Sequence, residues 1–386
     1  MHIIITVNAA WNVVNFRRSL IEAFISDGHT VVVLAPPDVS KSVMKDLKLL
    51  GCRFLPLEMD RKGINPIKNF ALVGRMKKAF REERPDMIFS YTIKNNIFGS
   101  LAAAKLGIPF VPNITGLGTA FLSGRFLQKI SICLYRYAFR KNLITFFQNH
   151  DDKDFFLNHK IITNQQARLL PGSGIDLEYF KSTTYPSDHE ETIFLMIARI
   201  IRDKGVLEYV ETAREIKSKF PNVRFQILGS IDTANRNAID AKIVQSWVNE
   251  GIIEYLGISD DVRPHISRSH CVVLPSYREG APRTLIEGAS MARPIIASDV
   301  PGCREVVENS KTGYLCKARN KNDLMRCVKD FMSLKHEDKV LMGRLGREKM
   351  VKNYDDSIIK QAYRKVLEID NISYFKRPLL KKKPIN

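Results

Sequence analysis

Short apolar runs alternating with helix-length segments, once through residues 3–148 and again through 193–297, constrain this chain more than any other feature. The first pass gives strands at 3–7, 30–35, 53–57, 87–90, 109–112 and 144–148, with helices at 15–26, 41–50, 66–84 and 95–106 between them. The second gives strands at 193–197, 224–228, 252–255, 271–274 and 294–297, with helices at 206–220 and 283–291. Helices over 321–334, 337–352 and 356–369 end the pattern. Alternation of this kind predicts an α/β fold with parallel sheets. At 386 residues the chain exceeds the size at which one core keeps growing, so two domains are expected. Their boundary is placed at 180/181, where the polar stretch 181–191, with Pro186, reads as a linker.

The second pass carries the residues that suggest chemistry. An apolar strand ending at Ala198 leads into Arg199-Ile-Ile-Arg-Asp-Lys204-Gly205 and then a helix. Strand, basic loop and helix in that order place the loop at the carboxyl end of a parallel sheet, where ligands bind. The forked guanidinium of Arg199 and the compact charge of Lys204 suit a diphosphate. After the strand at 271–274, Glu279-Gly-Ala-Pro-Arg-Thr-Leu-Ile-Glu287 sets two carboxylates around a Gly-Ala-Pro turn that opens a helix. Such a helix start leaves backbone N–H groups without intrahelical partners and can hold phosphate. Glu279 would lie beside a sugar, and Glu287, one turn into the helix, could accept from both hydroxyls of a ribose. The plainer alternatives are a solvated helix face for the glutamates and a salt-bridged helix start for the cations.

Together these residues resemble the donor-binding half of glycosyltransferase family 4, whose pattern of Arg, four residues, Lys, then Glu, seven residues, Glu is met at Arg199, Lys204, Glu279 and Glu287. The resemblance runs over nearly the whole chain. It implies two facing Rossmann-like domains (the GT-B arrangement) with a cleft between them: an acceptor-binding domain over 1–180 and a nucleotide-sugar domain over 181–354. It also implies that 355–386 forms a last helix crossing back to the first domain, followed by a basic tail. In the family the residues matching Arg199 and Lys204 bind the donor diphosphate, that matching Glu279 contacts the transferred sugar, and that matching Glu287 contacts the ribose. Backbone groups around Gly280, Ala281, Thr284 and Leu285 complete the cradle.

The acceptor side is sought in the first half. Val7-Asn8-Ala9-Ala10-Trp11-Asn12 follows the first strand, where relatives often have a glycine-rich turn; two alanines and Trp11 replace it. Asn15-Phe16-Arg17-Arg18 opens the next helix, and Arg17 could meet an acceptor phosphate or simply start a surface helix. Tyr91-Thr-Ile-Lys94-Asn-Asn96 and the glycine turn Asn113-Ile-Thr115-Gly116-Leu-Gly118 occupy the same sheet edge. These segments resemble those of bacterial family members acting on undecaprenyl-diphosphate-linked sugars in surface-glycan synthesis (lipopolysaccharide, O-antigen or capsule). No histidine stands at the edge position where relatives often carry one, so no catalytic histidine is assigned.

Charge points to an anionic partner. Lys plus Arg number 60 against 41 Asp plus Glu, a net +19. No acidic residue occurs between Met87 and His150, where Arg125, Lys129, Arg136, Arg140 and Lys141 interleave with Phe121, Phe126, Tyr135, Tyr137 and Phe139. Lys376, Arg377, Lys381, Lys382 and Lys383 follow in the tail. Either segment suits the surface of an anionic membrane; the alternatives are a core helix with a charged edge and a solubilising tail. No run is apolar enough to span a bilayer and no leader precedes the first strand, so the expected location is cytoplasmic, peripheral on the inner face of the membrane. Six scattered cysteines without a Cys-x-x-Cys pair read as reduced packing residues, and His29 as structural. No metal or cofactor is expected.

The expectation is transfer of a hexose or N-acetylhexosamine from a UDP-sugar to a lipid-linked saccharide with retained configuration, the leaving diphosphate being stabilised by Arg199, Lys204 and the helix start near Thr284. Two competing readings are a nucleotide-sugar epimerase of the same architecture and a basic nucleic-acid-binding protein. The second lacks a recognisable reading module, and no nucleic-acid partner is expected.

Overall fold

The computed structural model describes residues 1–37, 40–60, 66–117, 125–187, 191–232, 235 and 237–369; side chains at 66–68 and 125–127 are also left aside. The basic tail beyond 369, Phe121 and Gly118 therefore lie outside the described residues, as do the side chains of Arg125 and Phe126.

The chain divides into two compact units, Met1–Ser173 with the chain from Asp356, and Gly174–Asp355. The first is built on a seven-stranded parallel sheet: β1 (His2–Thr6), β2 (Thr30–Ala35), β3 (Arg53–Pro56), β4 (Met87–Tyr91), β5 (Phe110–Ile114), β6 (Thr145–Phe147) and β7 (Ala167–Leu169), in the order β3-β2-β1-β4-β5-β6-β7. The second has six parallel strands: β8 (Thr192–Ile197), β9 (Val223–Leu228), β10 (Glu254–Tyr255), β11 (Cys271–Leu274), β12 (Ile295–Ser298) and β13 (Gly313–Cys316), in the order β10-β9-β8-β11-β12-β13. Both are Rossmann-type orders, with strand direction of travel reversing at β1/β4 and at β8/β11, the switch points where such sheets bind ligands.

The apolar runs form strands buried on both faces, as parallel sheets require. Ile3 and Ile5 pack with Val31 and Val33 on one side of the first sheet, while Ile4 joins Val32, Leu34, Met76 and Phe80 on the other. That alternation is the two-residue period of a strand made visible in its core. Helix Asp356–Leu367 belongs to the first unit. Its Tyr363 hydroxyl accepts from the Tyr91 hydroxyl at 2.8 Å and from Asn113 Nδ2 at 3.0 Å, and Arg364 pairs with Asp27 at 2.6 Å.

Two boundaries differ from the sequence reading. The break between units falls at Ser173/Gly174, before the polar stretch, because Ile175, Leu177 and Phe180 enter the second core and Ile175 bridges Asp355. The return falls at Asp355/Asp356. The helix expected over 15–26 is two helices, Ala10–Phe16 and Arg18–Ser26, interrupted at Arg17 (φ −133°). Strands β7 (Ala-Arg-Leu) and β13 (Gly-Tyr-Leu-Cys) lack the unbroken apolar run that makes β11, no longer than β13, legible. Five of the six free cysteines are buried and Cys133 is exposed. His29 meets the amino terminus through Nδ1 at 3.2 Å.

Candidate active site

The carboxyl ends of β8 and β11 are adjacent, since Phe194 and Leu195 register with Cys271 and Val272. The loop after β8 ends in a short 3-10 turn, Arg202–Lys204, and then Gly205 in the left-handed region (φ 72°). A Cβ at Gly205 would lie 2.1 Å from the Pro275 carbonyl oxygen, so glycine there both supplies the turn and lets the two loops touch. Tyr277 N donates to Asp203 O at 2.9 Å and fastens them again. The Tyr277 hydroxyl, pushed up to about 12 by burial and by its bond to Glu208 (2.8 Å), lies in the same clamp, with the Arg319 guanidinium 4.5 Å from its ring.

This contact brings together what the sequence placed 75 positions apart. Lys204 Nζ donates to Glu279 Oε1, with side chains 22% and 12% exposed. Arg199, which leaves β8 two residues past its end, is more exposed and pairs with Asp232 at 3.1 Å. Gly280 is buried; a Cβ on Gly302 (φ 82°) would come within 2.5 Å of its carbonyl oxygen, so a third loop presses on this turn.

Helix Arg283–Ser290 opens from Pro282, whose carbonyl accepts from Leu285 N (3.1 Å) and Ile286 N (3.2 Å). The amides of Arg283 and Thr284 thus precede the first intrahelical bonds, the position from which a helix start receives an anion. Ala281 and Thr284 are half-buried and Leu285 is fully buried in the core. Glu287, one turn on, is buried and accepts from Arg283 Nε at 2.9 Å. Burial pushes its carboxyl up, offset in part by that guanidinium. Arg283 also donates to Gly174 O at 2.9 Å. Asp232, Tyr277, Gly302 and Gly229 (φ 153°), where a Cβ would lie 1.9 Å from the Ala198 carbonyl oxygen at the head of the Arg199 loop, were not read from sequence. The positive φ of the two glycines and the ion pair of the aspartate arise only once loops meet.

The residues expected on the acceptor side are less uniform. Asn8 accepts from Asn12 Nδ2 at 2.8 Å, beside Trp11 at the carboxyl end of β1. Thr115 and Gly116 (φ 129°) follow β5 and are half-buried. Lys94, in helix Ile93–Ala104, donates to the Asp60 carbonyl, and burial lowers its pKa. Arg17 departs most from the sequence reading. It is only 6% exposed, turned inward with its guanidinium 4.1 Å from the Tyr91 ring and Nη1 bonded to Phe16 O. It is not a surface helix start, because the chain breaks there to bury it.

Among the described residues no three His, Cys, Asp or Glu side chains gather as a metal site, and no helix is long and apolar enough to cross a membrane. The helix Arg125–Phe139 splits in two: Tyr135, Ala138 and Phe139 enter a core cluster, whereas Ile130, Cys133, Leu134 and Tyr137, at helical spacing, are exposed beside Lys129, Arg136 and Arg140. The core-helix reading of this segment is thus met on one face, and the other face is an exposed apolar stripe edged by cations.

A parallel-sheet unit that presents cations and a helix start at its switch point has the layout of a phosphate-binding α/β module. Two family models match in tandem: Glycosyl transferase 4-like over residues 2–149 and Glycosyl transferases group 1 over 180–353. The chain belongs to this glycosyltransferase family, and it is a glycosyltransferase. It is 28% identical, over 94% of its length and 96% of the relative's, to N,N'-diacetylbacillosaminyl-diphospho-undecaprenol alpha-1,3-N-acetylgalactosaminyltransferase of Campylobacter jejuni. It is 25% identical, over 78% of its length and 79% of the relative's, to UDP-Gal:alpha-D-GlcNAc-diphosphoundecaprenol alpha-1,3-galactosyltransferase of Escherichia coli. Among solved structures, Anabaena HepE in complex with UDP and glucose matches with TM-score 0.78 at 14% identity over 95% of this chain and 99% of that one. Sucrose-phosphate synthase of Thermosynechococcus elongatus matches with TM-score 0.76 at 18% identity, again over 95% and 99%. These structural likenesses show the fold. The family assignment favours glycosyl transfer over epimerisation or nucleic-acid binding.

Proposed function

We propose that the protein transfers a hexose or N-acetylhexosamine from a UDP-sugar to a hydroxyl of a polyprenyl-diphosphate-linked saccharide, with retained anomeric configuration. The observation that carries the reading is the Lys204–Glu279 pair at the β8/β11 switch point, with Arg199 and the opening of helix Arg283–Ser290 beside it. Lys204 and Arg199 take the two phosphates of the donor, and the amides at Thr284 add the field of the helix start. Glu279 meets the transferred sugar, and Glu287 the ribose hydroxyls. The acceptor is assigned to the amino-terminal unit. The C. jejuni and E. coli relatives, both named for diphospho-undecaprenol-linked acceptors, support that substrate class. UDP as the carrier is supported by the E. coli relative's name and the HepE complexes.

In the reaction the bond between the anomeric carbon and the diphosphate oxygen breaks and one to the acceptor oxygen forms. The electron pair leaves with UDP, whose phosphate oxygen takes the acceptor's proton on the face of departure. In this reading stabilisation of the leaving diphosphate by fixed cations and amides supplies most of the catalysis, without a metal. The exposed apolar stripe Ile130, Leu134 and Tyr137, flanked by cations, rests on the anionic inner face of the cytoplasmic membrane, where a lipid-linked acceptor is found.

The test is incubation with single UDP-sugars and a short-chain polyprenyl-diphosphate-linked N-acetylhexosamine. A disaccharide product with the donor's anomeric configuration is expected. An epimerised donor formed without acceptor would overturn the reading.

A further inference from the structure

We propose that Arg17 binds the diphosphate of the lipid-linked acceptor and so selects diphosphate-linked saccharides over neutral ones. The proposal rests on the glycosyltransferase reading above and on placing the acceptor in the amino-terminal unit.

A buried guanidinium is costly unless acceptors meet its N–H groups and its charge. Arg293, in the second unit, shows how this chain meets that cost. It is fully buried, and Nε, Nη1 and Nη2 all donate to oxygens, among them Ile266 O at 3.1 Å, Thr183 O at 3.1 Å and Ser267 O at 2.7 Å. Arg17 is different. It is only 6% exposed, yet its side chain makes a single hydrogen bond among the described residues, from Nη1 to Phe16 O at 3.1 Å. No Asp or Glu of the described residues pairs with it, and Nε and Nη2 have no acceptor there.

The guanidinium is nevertheless held in place. Its central carbon lies 4.1 Å from the centroid of the Tyr91 ring, a contact that fixes a cation without using its N–H groups. Tyr91 is fixed in turn by its hydroxyl, which donates to Tyr363 at 2.8 Å. The Nε and Nη2 edge is the side of the fork that takes two oxygens of one phosphate, and its preorganisation lowers the entropy cost of binding.

The place is one where a ligand is expected. Arg17 follows helix Ala10–Phe16 after β1, and Tyr91 ends β4, the two strands at which the first sheet reverses its order. Helix Ile93–Ala104 opens two residues past Tyr91, and its first backbone bond runs from Asn96 N to Thr92 O, which leaves amides without intrahelical partners at the same sheet edge. The chain also gives up helix continuity at Arg17 to turn it inward. A charge buried at the expense of a helix and left without a counter-ion is a local inconsistency of the kind found at ligand sites.

The diphosphate is the anionic part of the proposed acceptor, and a neutral glycan offers nothing to balance this charge. A phospholipid headgroup carries the same chemistry, but a cation 6% exposed is too deeply set to meet a flat bilayer surface, so the acceptor is the source.

The experiment uses the full chain, saturating UDP to fill the donor site, and a short-chain polyprenyl diphosphate as probe. Arg17→Met, an uncharged side chain that still fills the site, should bind the probe about 10- to 100-fold more weakly by calorimetry, the scale of a charge-assisted pair. Its melting temperature without ligand should not fall, because an uncompensated buried charge has gone. In transfer assays the ratio of kcat/KM for a diphosphate-linked N-acetylhexosamine to that for its alkyl glycoside should drop by the same factor, and Arg17→Lys, which keeps the charge without the fork, should recover part of it. A packing role would instead lower both values alike and leave the ratio unmoved, which overturns the proposal. Binding to phosphatidylglycerol vesicles should be the same for Arg17→Met and wild type; a loss there would assign the phosphate to headgroups and overturn it as well. Equal affinity for the probe in a chain that transfers normally overturns this proposal alone. Lack of transfer by the wild-type chain to any lipid-linked sugar overturns the underlying reading and, with it, the acceptor as the source of the phosphate.

Discussion

Removing the ammonium of Lys204 is the sharpest perturbation of the proposed donor site. Unit charges about 4 Å apart interact by about 4 kcal/mol at an effective dielectric of 20. Lys204 keeps 22% of its side-chain exposure and would share the diphosphate with Arg199 and the helix amides. About 3 kcal/mol of transition-state stabilisation is therefore assigned to it, so Lys204→Ala should lower kcat about 100-fold. The same change strands the mostly buried Glu279, and breaking such a pair destabilises a fold on its own. The double variant Lys204→Ala/Glu279→Gln separates the two effects: it removes the stranded charge and keeps a hydrogen-bonding side chain beside the sugar. Steady-state UDP release, with thermal unfolding as a control, should show melting temperature recovered and turnover still about 100-fold down. Turnover restored along with stability would mean that Lys204 only neutralises Glu279, and the reasoning would be refuted.

Three further outcomes are expected. Gly205→Ala places a methyl carbon against the Pro275 carbonyl oxygen in a left-handed backbone, so it should cost about 2–4 kcal/mol in denaturant unfolding and abolish donor binding. Burial raises the Glu287 pKa, so between the ordinary glutamate range and that raised value the folded state binds the extra proton; stability from this group falls as pH rises through the window. Donor affinity by calorimetry should move the other way, falling as pH drops through it, and Glu287→Gln should flatten the profile. Ile130→Asp with Tyr137→Asp should weaken sedimentation with phosphatidylglycerol vesicles by about 10-fold at low salt without changing transfer to a soluble acceptor; equal binding would exclude this helix face as the contact.

Much of the fold was legible because parallel strands buried on both faces read as unbroken apolar runs; β2 (Thr30–Ala35) and β11 (Cys271–Leu274) match the sequence reading residue for residue. The candidate site was legible in composition, since Arg199, Lys204, Glu279 and Glu287 stand at fixed spacings on loop and helix. The pairing of Lys204 with Glu279 was not, because it depends on Gly205 meeting Pro275 across two loops. The burial of Arg17 was not legible for a related reason. A cation next to a helix start reads as surface, and only the tertiary fold supplies the Tyr91 ring that takes it inside. The unit boundary at Ser173/Gly174 was obscured because the polar stretch after 180 is a better linker by composition than the residues that separate the units.

The most direct test of the central claim is a crystal structure of the chain with UDP. Both phosphates should lie within about 3 Å of Lys204 Nζ, the Arg199 guanidinium and the Thr284 amide, at ordinary charge-assisted hydrogen-bond lengths. A diphosphate bound away from the β8/β11 switch point, or one there that touches none of these groups, would contradict it.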